Sequence, residues 1–144
     1  ASSLQRLKRA GFLLAVVTNQ PDVGNGLTPR PEVDAMHEIL ARELPIDALR
    51  ACFHGQREGC DCRKPKPGMI LELARELGID LRTSFVVGDR KSDVDAGRTA
   101  GCRTVFIDLD YAEPAPAAPD FVVYSVAQAA DVIIETFQPS REAP

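Results

Sequence analysis

No apolar run in these 144 residues approaches the roughly 20 that a membrane-spanning helix needs. Basic residues are not in excess either. Seventeen Lys and Arg against 21 Asp and Glu give a net charge of −4, which argues against a duplex nucleic-acid binder. No charged-then-apolar leader with a cleavage site is found, and no internal repeat. These absences lead to the expectation of a cytoplasmic protein whose partners include neither membrane nor nucleic acid. Cysteine is scarce, four residues in all, but a chain of this size buries about two-thirds of its unfolded surface without disulfides. Hydrophobic residues at 44% and charged residues at 26% fit one globular domain, expected over residues 1–138 with 139–144 as a flexible tail.

Scarcity makes the placement of the cysteines informative. Three of the four, Cys52, Cys60 and Cys62, share a polar, Gly-rich stretch with His54. Three thiolates and one imidazole are the donor set of a closed tetrahedral zinc site. The pairs Cys52/His54 and Cys60/Cys62 can each chelate from a bend, and residues 55–59 let the loop fold back over the ion. The alternative is a reduced or disulfide-bonded loop. Neighbours in C-x-C do not easily bridge each other, because their side chains diverge, and cytosolic thiols stay reduced.

The remaining chain alternates between two periodicities. Ser2 to Ala10 reads as the end of an amphipathic helix with Gly11 as its cap. The apolar run Phe12 to Val17 fits a parallel strand covered on both faces, and a loop to Pro29 follows. Pro31 sits in the first turn of a helix to about Leu44, with Val33, Met36, Ile39 and Leu40 on one face. A short strand, Ala48 to Phe53, leads into the cysteine loop. After it come a helix from Pro67 to Gly78, a buried strand at Phe85 to Val87, a helix capped by Ser92 and ended by Gly101, and a strand at Thr104 to Ile107. A Pro/Ala-rich loop, a short strand at Phe121 to Tyr124 and a helix capped by Ser125 complete the chain. Strands alternating with helices imply a parallel α/β sheet.

Ligands of such sheets gather at the carboxyl ends of the strands. Those ends carry Thr18 and Asn19, then Lys64 just before a helix start, then Asp89 directly after FVVG with Asp93 four residues on. Hydroxyl, lysine and carboxylate are what phosphoryl transfer needs: donors for the phosphoryl oxygens and a ligand for Mg2+. Taken singly, each also reads as a turn, cap or surface residue. Cys102 reads as a small buried hydrophobe, and His37 as a surface or boundary residue.

The stretches VVTNQ, CDCRKPKPGM and VVGDRKSD resemble motifs II, III and IV of the haloacid-dehalogenase-type phosphatases. The C-x-H…C-x-C insertion narrows the resemblance to the group that holds D,D-heptose 1,7-bisphosphate phosphatase and the histidinol-phosphate phosphatases, and the PKPGM ending is closer to the heptose enzymes. It spans roughly residues 4 to 137 and implies a Rossmann-like parallel sheet with helices on both faces. By position, it implies that Thr18 and Lys64 stabilise a transferring phosphoryl group. Asn19, Gln20, Arg63 and Arg90 would contact a phosphorylated sugar. Asp89 would bind Mg2+, and Asp93 would orient Lys64 or a metal-bound water. Cys52, His54, Cys60 and Cys62 would hold a structural Zn2+.

One motif of that family has no counterpart in the 144 residues. The nucleophile and the acid–base residue of its DxDGT motif lie on a first, central strand, which would precede the helix that ends at Gly11. Asp108-Leu109-Asp110 is a weak substitute, since no Gly-Thr follows and its strand should lie on the outer flank of the Asp89 strand. The expectations are therefore a phosphatase that these residues alone leave inactive, and strand edges open to self-association. The alternatives are a non-catalytic phosphate-binding relic and a histidinol-phosphate phosphatase.

Overall fold

The computed structural model describes residues 2–54 and 60–137; the 55–59 stretch and the expected 139–144 tail lie outside the described residues. Helix α1 (Ser2–Arg9) leads into strand β1 (Ala15–Asn19). A short helix α2 (Pro21–Gly24), helix α3 (Arg30–Glu43) and strand β2 (Ala48–Cys52) follow. Beyond the cysteine stretch come α4 (Gly68–Leu77), a 3-10 turn (Leu81–Thr83), β3 (Phe85–Gly88), α5 (Lys91–Ala100), β4 (Arg103–Ile107), β5 (Phe121–Val123) and α6 (Val126–Thr136).

All pairings among the described residues are parallel. They form two sheets, β1-β2 and β3-β4-β5. β1 and β3 are not paired with each other, so each keeps one free edge among the described residues. Common neighbours hold the two sheets together on both faces. On one face Leu7 of α1 and Ala129, Ala130 and Ile133 of α6 cover Val105, Ile107 and Val123, with Phe12, Leu14 and Phe85 packed alongside. On the other, Ile70 of α4, Ala96 of α5 and Cys102 take Val17 from β1 and Val86 from β3. Val94 and Val105 are fully buried, each contributing about 1.5–3 kcal/mol by leaving water.

Local chemistry sets the boundaries. Gly78 (φ 66°) and Gly101 (φ 93°) end α4 and α5 in the left-handed conformation. Ser125 caps α6 by accepting from the Gln128 amide at 3.1 Å. Asp47 ties three elements at the amino end of β2. Its carboxylate accepts from Lys8 of α1 at 2.8 Å and from the Leu14 amide at 2.7 Å. Buried Thr104 is satisfied by Asp120, which accepts from its amide at 2.7 Å.

Four expectations are corrected. The Phe12 to Val17 run is not covered on both faces: Leu13 is 54% exposed, because the α4/α5 layer reaches Val17 but not Leu13. The ordered strand instead extends forward to Asn19. On α3 only Val33 is buried, while Met36, Ile39 and Leu40 stay exposed; the two-stranded ribbon beneath offers too little surface to cover them. Ser92 lies inside α5, whose cap position is Arg90. The loop expected after Gln20 begins with helix α2, which Pro21 can start because its missing N–H is not needed there.

Candidate active site and metal centre

The carboxyl ends of β1 and β3 meet the chain that follows the cysteine stretch. Lys64 is the junction. Its ammonium donates to the Val17 carbonyl of β1 at 3.0 Å and to Asp93 of α5 at 2.5 Å. Both side chains of that pair are only 12% exposed, so the charge is desolvated and directed rather than free on the surface. The Lys64 main chain is fixed as well, because Asn19 accepts from its amide at 3.0 Å and donates to its carbonyl at 3.3 Å. Asn19, expected to meet substrate, thus spends both ends of its amide on positioning Lys64. Gln20 donates to the Thr18 hydroxyl at 3.1 Å.

Asp93 reaches this place because of glycine. A Cβ on Gly88 would collide with the Asp93 side chain, and one on Gly68 would collide with the Asp61 carbonyl. The bare backbones let α5 start against the end of β3 and α4 start against the Asp61 main chain. The second Asp93 oxygen accepts from the Arg90 amide at 3.3 Å. Because the Thr18 hydroxyl also donates to the Asn19 carbonyl at 3.4 Å, Thr18, Asn19, Gln20, Lys64, Asp93 and the Arg90 main chain form one connected hydrogen-bond system.

Arg63 precedes Lys64, and its Nη1 is buried without a hydrogen-bond partner among the described residues. An unsatisfied buried guanidinium nitrogen is costly, and an anion is the acceptor that suits such a donor. The Arg90 guanidinium pairs with Glu113 at 3.2 Å and lies 5.6 Å from the centroid of the Tyr111 ring. Asp89 accepts from the Tyr111 hydroxyl at 2.6 Å. That carboxylate pushes the Tyr111 phenol above its ordinary pKa. A cavity of about 180 Å3 beside them is lined by Asp89, Asp108, Asp110 and Glu113, among others. Asp108 follows β4, which pairs with β3 on the flank away from its free edge, so it does not take the place of a central-strand carboxylate.

The second centre is compact. Ligand atoms of Cys52, His54, Cys60 and Cys62 all lie within 4.8 Å of one another. Cys52 Sγ is 3.4 Å from Cys60 Sγ and 3.5 Å from His54 Nδ1, and His54 Nδ1 is 3.2 Å from Cys62 Sγ. No disulfide joins them. Burial pushes Cys60 up, but bonds with Cys52, the Arg63 main chain and Cys62 outweigh it and bring it down to about 7. Burial, followed by its thiol neighbours, pushes Cys62 up to about 12. Such opposed shifts mark sulfurs that cannot all ionise together, a conflict that a cation bound among them removes. The cluster could hold a metal ion. Cys102, pushed up to about 11 by burial, sits apart in the core, and His37 faces the Phe53 ring at 6.4 Å.

Known proteins match this chain over most of its length. The HAD-hydrolase-like family model matches residues 61–129. A D-glycero-beta-D-manno-heptose-1,7-bisphosphate 7-phosphatase of Escherichia coli K12 is 30% identical over 96% of this chain and 81% of its own length. The chain belongs to the haloacid-dehalogenase-like hydrolase family. The Pseudomonas aeruginosa phosphatase of the same name is 38% identical over 73% of the chain. The matched region is 62% of that relative's length, less than two thirds. The B. bronchiseptica D,D-heptose 1,7-bisphosphate phosphatase, solved with magnesium and phosphate, superposes with a TM-score of 0.78 at 30% identity. That match covers 94% of this chain and 82% of the other. A dehalogenase at 18% identity (TM-score 0.67) extends the likeness in fold alone. Within this family fold, Tyr111 and Glu113 are the site neighbours that sequence reasoning passed over, since a Pro/Ala-rich loop gave no signal that it returns to β3.

Proposed function

We propose that the chain is the phosphate-handling body of a phosphomonoester hydrolase acting on D-glycero-D-manno-heptose 1,7-bisphosphate. The observation that carries this reading is the Lys64 ammonium, held by Asp93 and the Val17 carbonyl at the strand ends, with Nη1 of the preceding Arg63 buried and without a partner among the described residues. A fixed cation, a buried guanidinium donor and the Thr18 hydroxyl suit the equatorial oxygens of a phosphoryl group. Asp89, a carboxylate at the end of β3, suits Mg2+, a hard cation that takes oxygen ligands. Mg2+ would there neutralise charge on the phosphoryl oxygens. Asn19 and Asp93 act as positioning residues for Lys64, and Gln20 does so for Thr18. Arg90 reaches substrate only by leaving Glu113. The Cys52/His54/Cys60/Cys62 cluster takes Zn2+, whose soft thiolate and imidazole ligands it supplies, and so fixes the stretch that delivers Arg63 and Lys64. Reduced thiols suit the cytoplasm.

No DxDGT sequence occurs in the 144 residues, so phosphate binding without turnover is expected of them, and binding is the proper readout. In calorimetric titration with inorganic phosphate, Lys64→Met should weaken binding at least ~10-fold, the worth of a charge-assisted bond. Equal affinity would remove Lys64 from the site. Competition then ranks substrates: heptose 1,7-bisphosphate should displace phosphate at lower concentration than histidinol phosphate, and the reverse order would favour the histidinol reading.

A further inference from the structure

The proposed Mg2+ ligand is not free to turn. Tyr111 donates to Asp89 Oδ2 at 2.6 Å, and the loop after β4 is built to bring it there. Asp108, the first residue past β4, accepts from the Asp110 amide at 2.9 Å. Asp110 adopts φ 60°, the left-handed conformation that Asp tolerates better than most residues, and so reverses the chain. Two residues beyond Tyr111, Glu113 pairs with Arg90 at 3.2 Å, and the Arg90 guanidinium lies over the phenol ring. The ring is thus guided from both sides, although it is 43% exposed and little buried area depends on it.

Resting on the reading of Asp89 as a Mg2+ ligand, we propose that Tyr111 is a positioning residue that sets which divalent cation the site takes. The hydroxyl takes up one lone pair of Oδ2 and fixes its direction, so Asp89 offers a metal its other oxygen more readily than both together. Mg2+ accepts single oxygens in a small octahedral shell, whereas Ca2+ takes six to eight and readily draws a carboxylate in through both. The Tyr111 bond therefore penalises Ca2+ more than Mg2+. It also orients the remaining oxygen, as hydrogen-bond partners of ligating carboxylates do.

The test is calorimetric titration of the 144-residue chain with MgCl2 and separately with CaCl2, for the wild type, Tyr111→Phe and Asp89→Asn. Tyr111→Phe keeps the ring under Arg90 and removes only the hydroxyl. It should weaken Mg2+ binding by about 10–100-fold and lower the Mg2+/Ca2+ affinity ratio at least ~10-fold, with the metal-free melting temperature unchanged. An unaltered ratio, or equal losses for both ions, overturns the role of Tyr111. Such a failure belongs to Tyr111 alone when Asp89→Asn abolishes uptake of both ions, as a ligand's loss should. Wild-type affinity in Asp89→Asn, or no uptake by the wild type, overturns the Asp89 reading and this inference together.

Discussion

Neutralising Asp93 with Asp93→Asn keeps the side-chain volume over Gly88 and the acceptor for the Arg90 amide, but removes the charge opposite Lys64. Both partners are 12% exposed and 2.5 Å apart, so Lys64 would be left as a nearly buried, uncompensated ammonium. Removing one member of a buried pair costs about 3–5 kcal/mol; residual exposure places this case near the lower end, ~3 kcal/mol. An unfolding entropy of about 2.1 cal/mol/K per residue gives ~0.3 kcal/mol/K for the chain, so the melting temperature should fall by ~10 °C. Lys64→Met should cost a similar amount by stranding the carboxylate. The double variant should cost less than the sum by ~2 kcal/mol, since neither charge is then left alone. Differential scanning calorimetry of the four proteins completes the cycle. Additive losses, or an Asp93→Asn melting temperature within ~2 °C of the wild type, would refute the claim that this pair is desolvated and coupled.

Metal analysis of protein purified without chelator should find one zinc per chain. Cys60→Ser or Cys62→Ser should lose the ion and melt at lower temperature, and full-length stability in a metal-free preparation would refute a structural role. Asp47 tests acid sensitivity. Bonds from Lys8 and then the Leu14 amide hold its carboxyl below the ordinary value of 3.8. Its contribution is therefore fully present above that value and is lost as pH falls through the lower, folded value. Asp47→Asn should cost ~1 kcal/mol near neutrality and flatten the fall of melting temperature below pH ~4. Parallel curves for the two proteins would show that Asp47 does not couple folding to pH.

The features legible in the sequence were those fixed by neighbours along the chain. Gly78 and Gly101 end helices because a left-handed residue must stand there, and Ser125 caps α6 through the amide three residues on. The thiol cluster was legible for a similar reason, since Cys52, His54, Cys60 and Cys62 sit close enough in sequence to meet whatever the rest of the fold does. Burial was less legible. The apolar positions of α3 have helical spacing, and spacing says which residues share a face but not whether anything covers it. Met36, Ile39 and Leu40 are exposed because the sheet beside them has two strands.

The site divides along the same line. Thr18, Lys64, Asp89 and Asp93 could be named as candidates because strand ends converge in any parallel sheet. How the donors are shared among them was not, since that depends on contacts 29 to 47 residues apart, such as Lys64 with Asp93 and with Val17. Asn19 shows the consequence: its residue type suits a sugar hydroxyl as well as a peptide, and only the fold assigns its amide to the Lys64 main chain. Tyr111 was the least legible, because the loop that returns it to Asp89 depends on one left-handed Asp110 and one ion pair across 23 residues. A side chain in a Pro/Ala-rich loop carries no periodicity and no spacing rule. Its contribution to the site lies wholly in where the chain turns back. On the role proposed for Tyr111, differences in metal preference between proteins with the same strand-end residues should be sought in this loop, where the strand motifs leave the choice open.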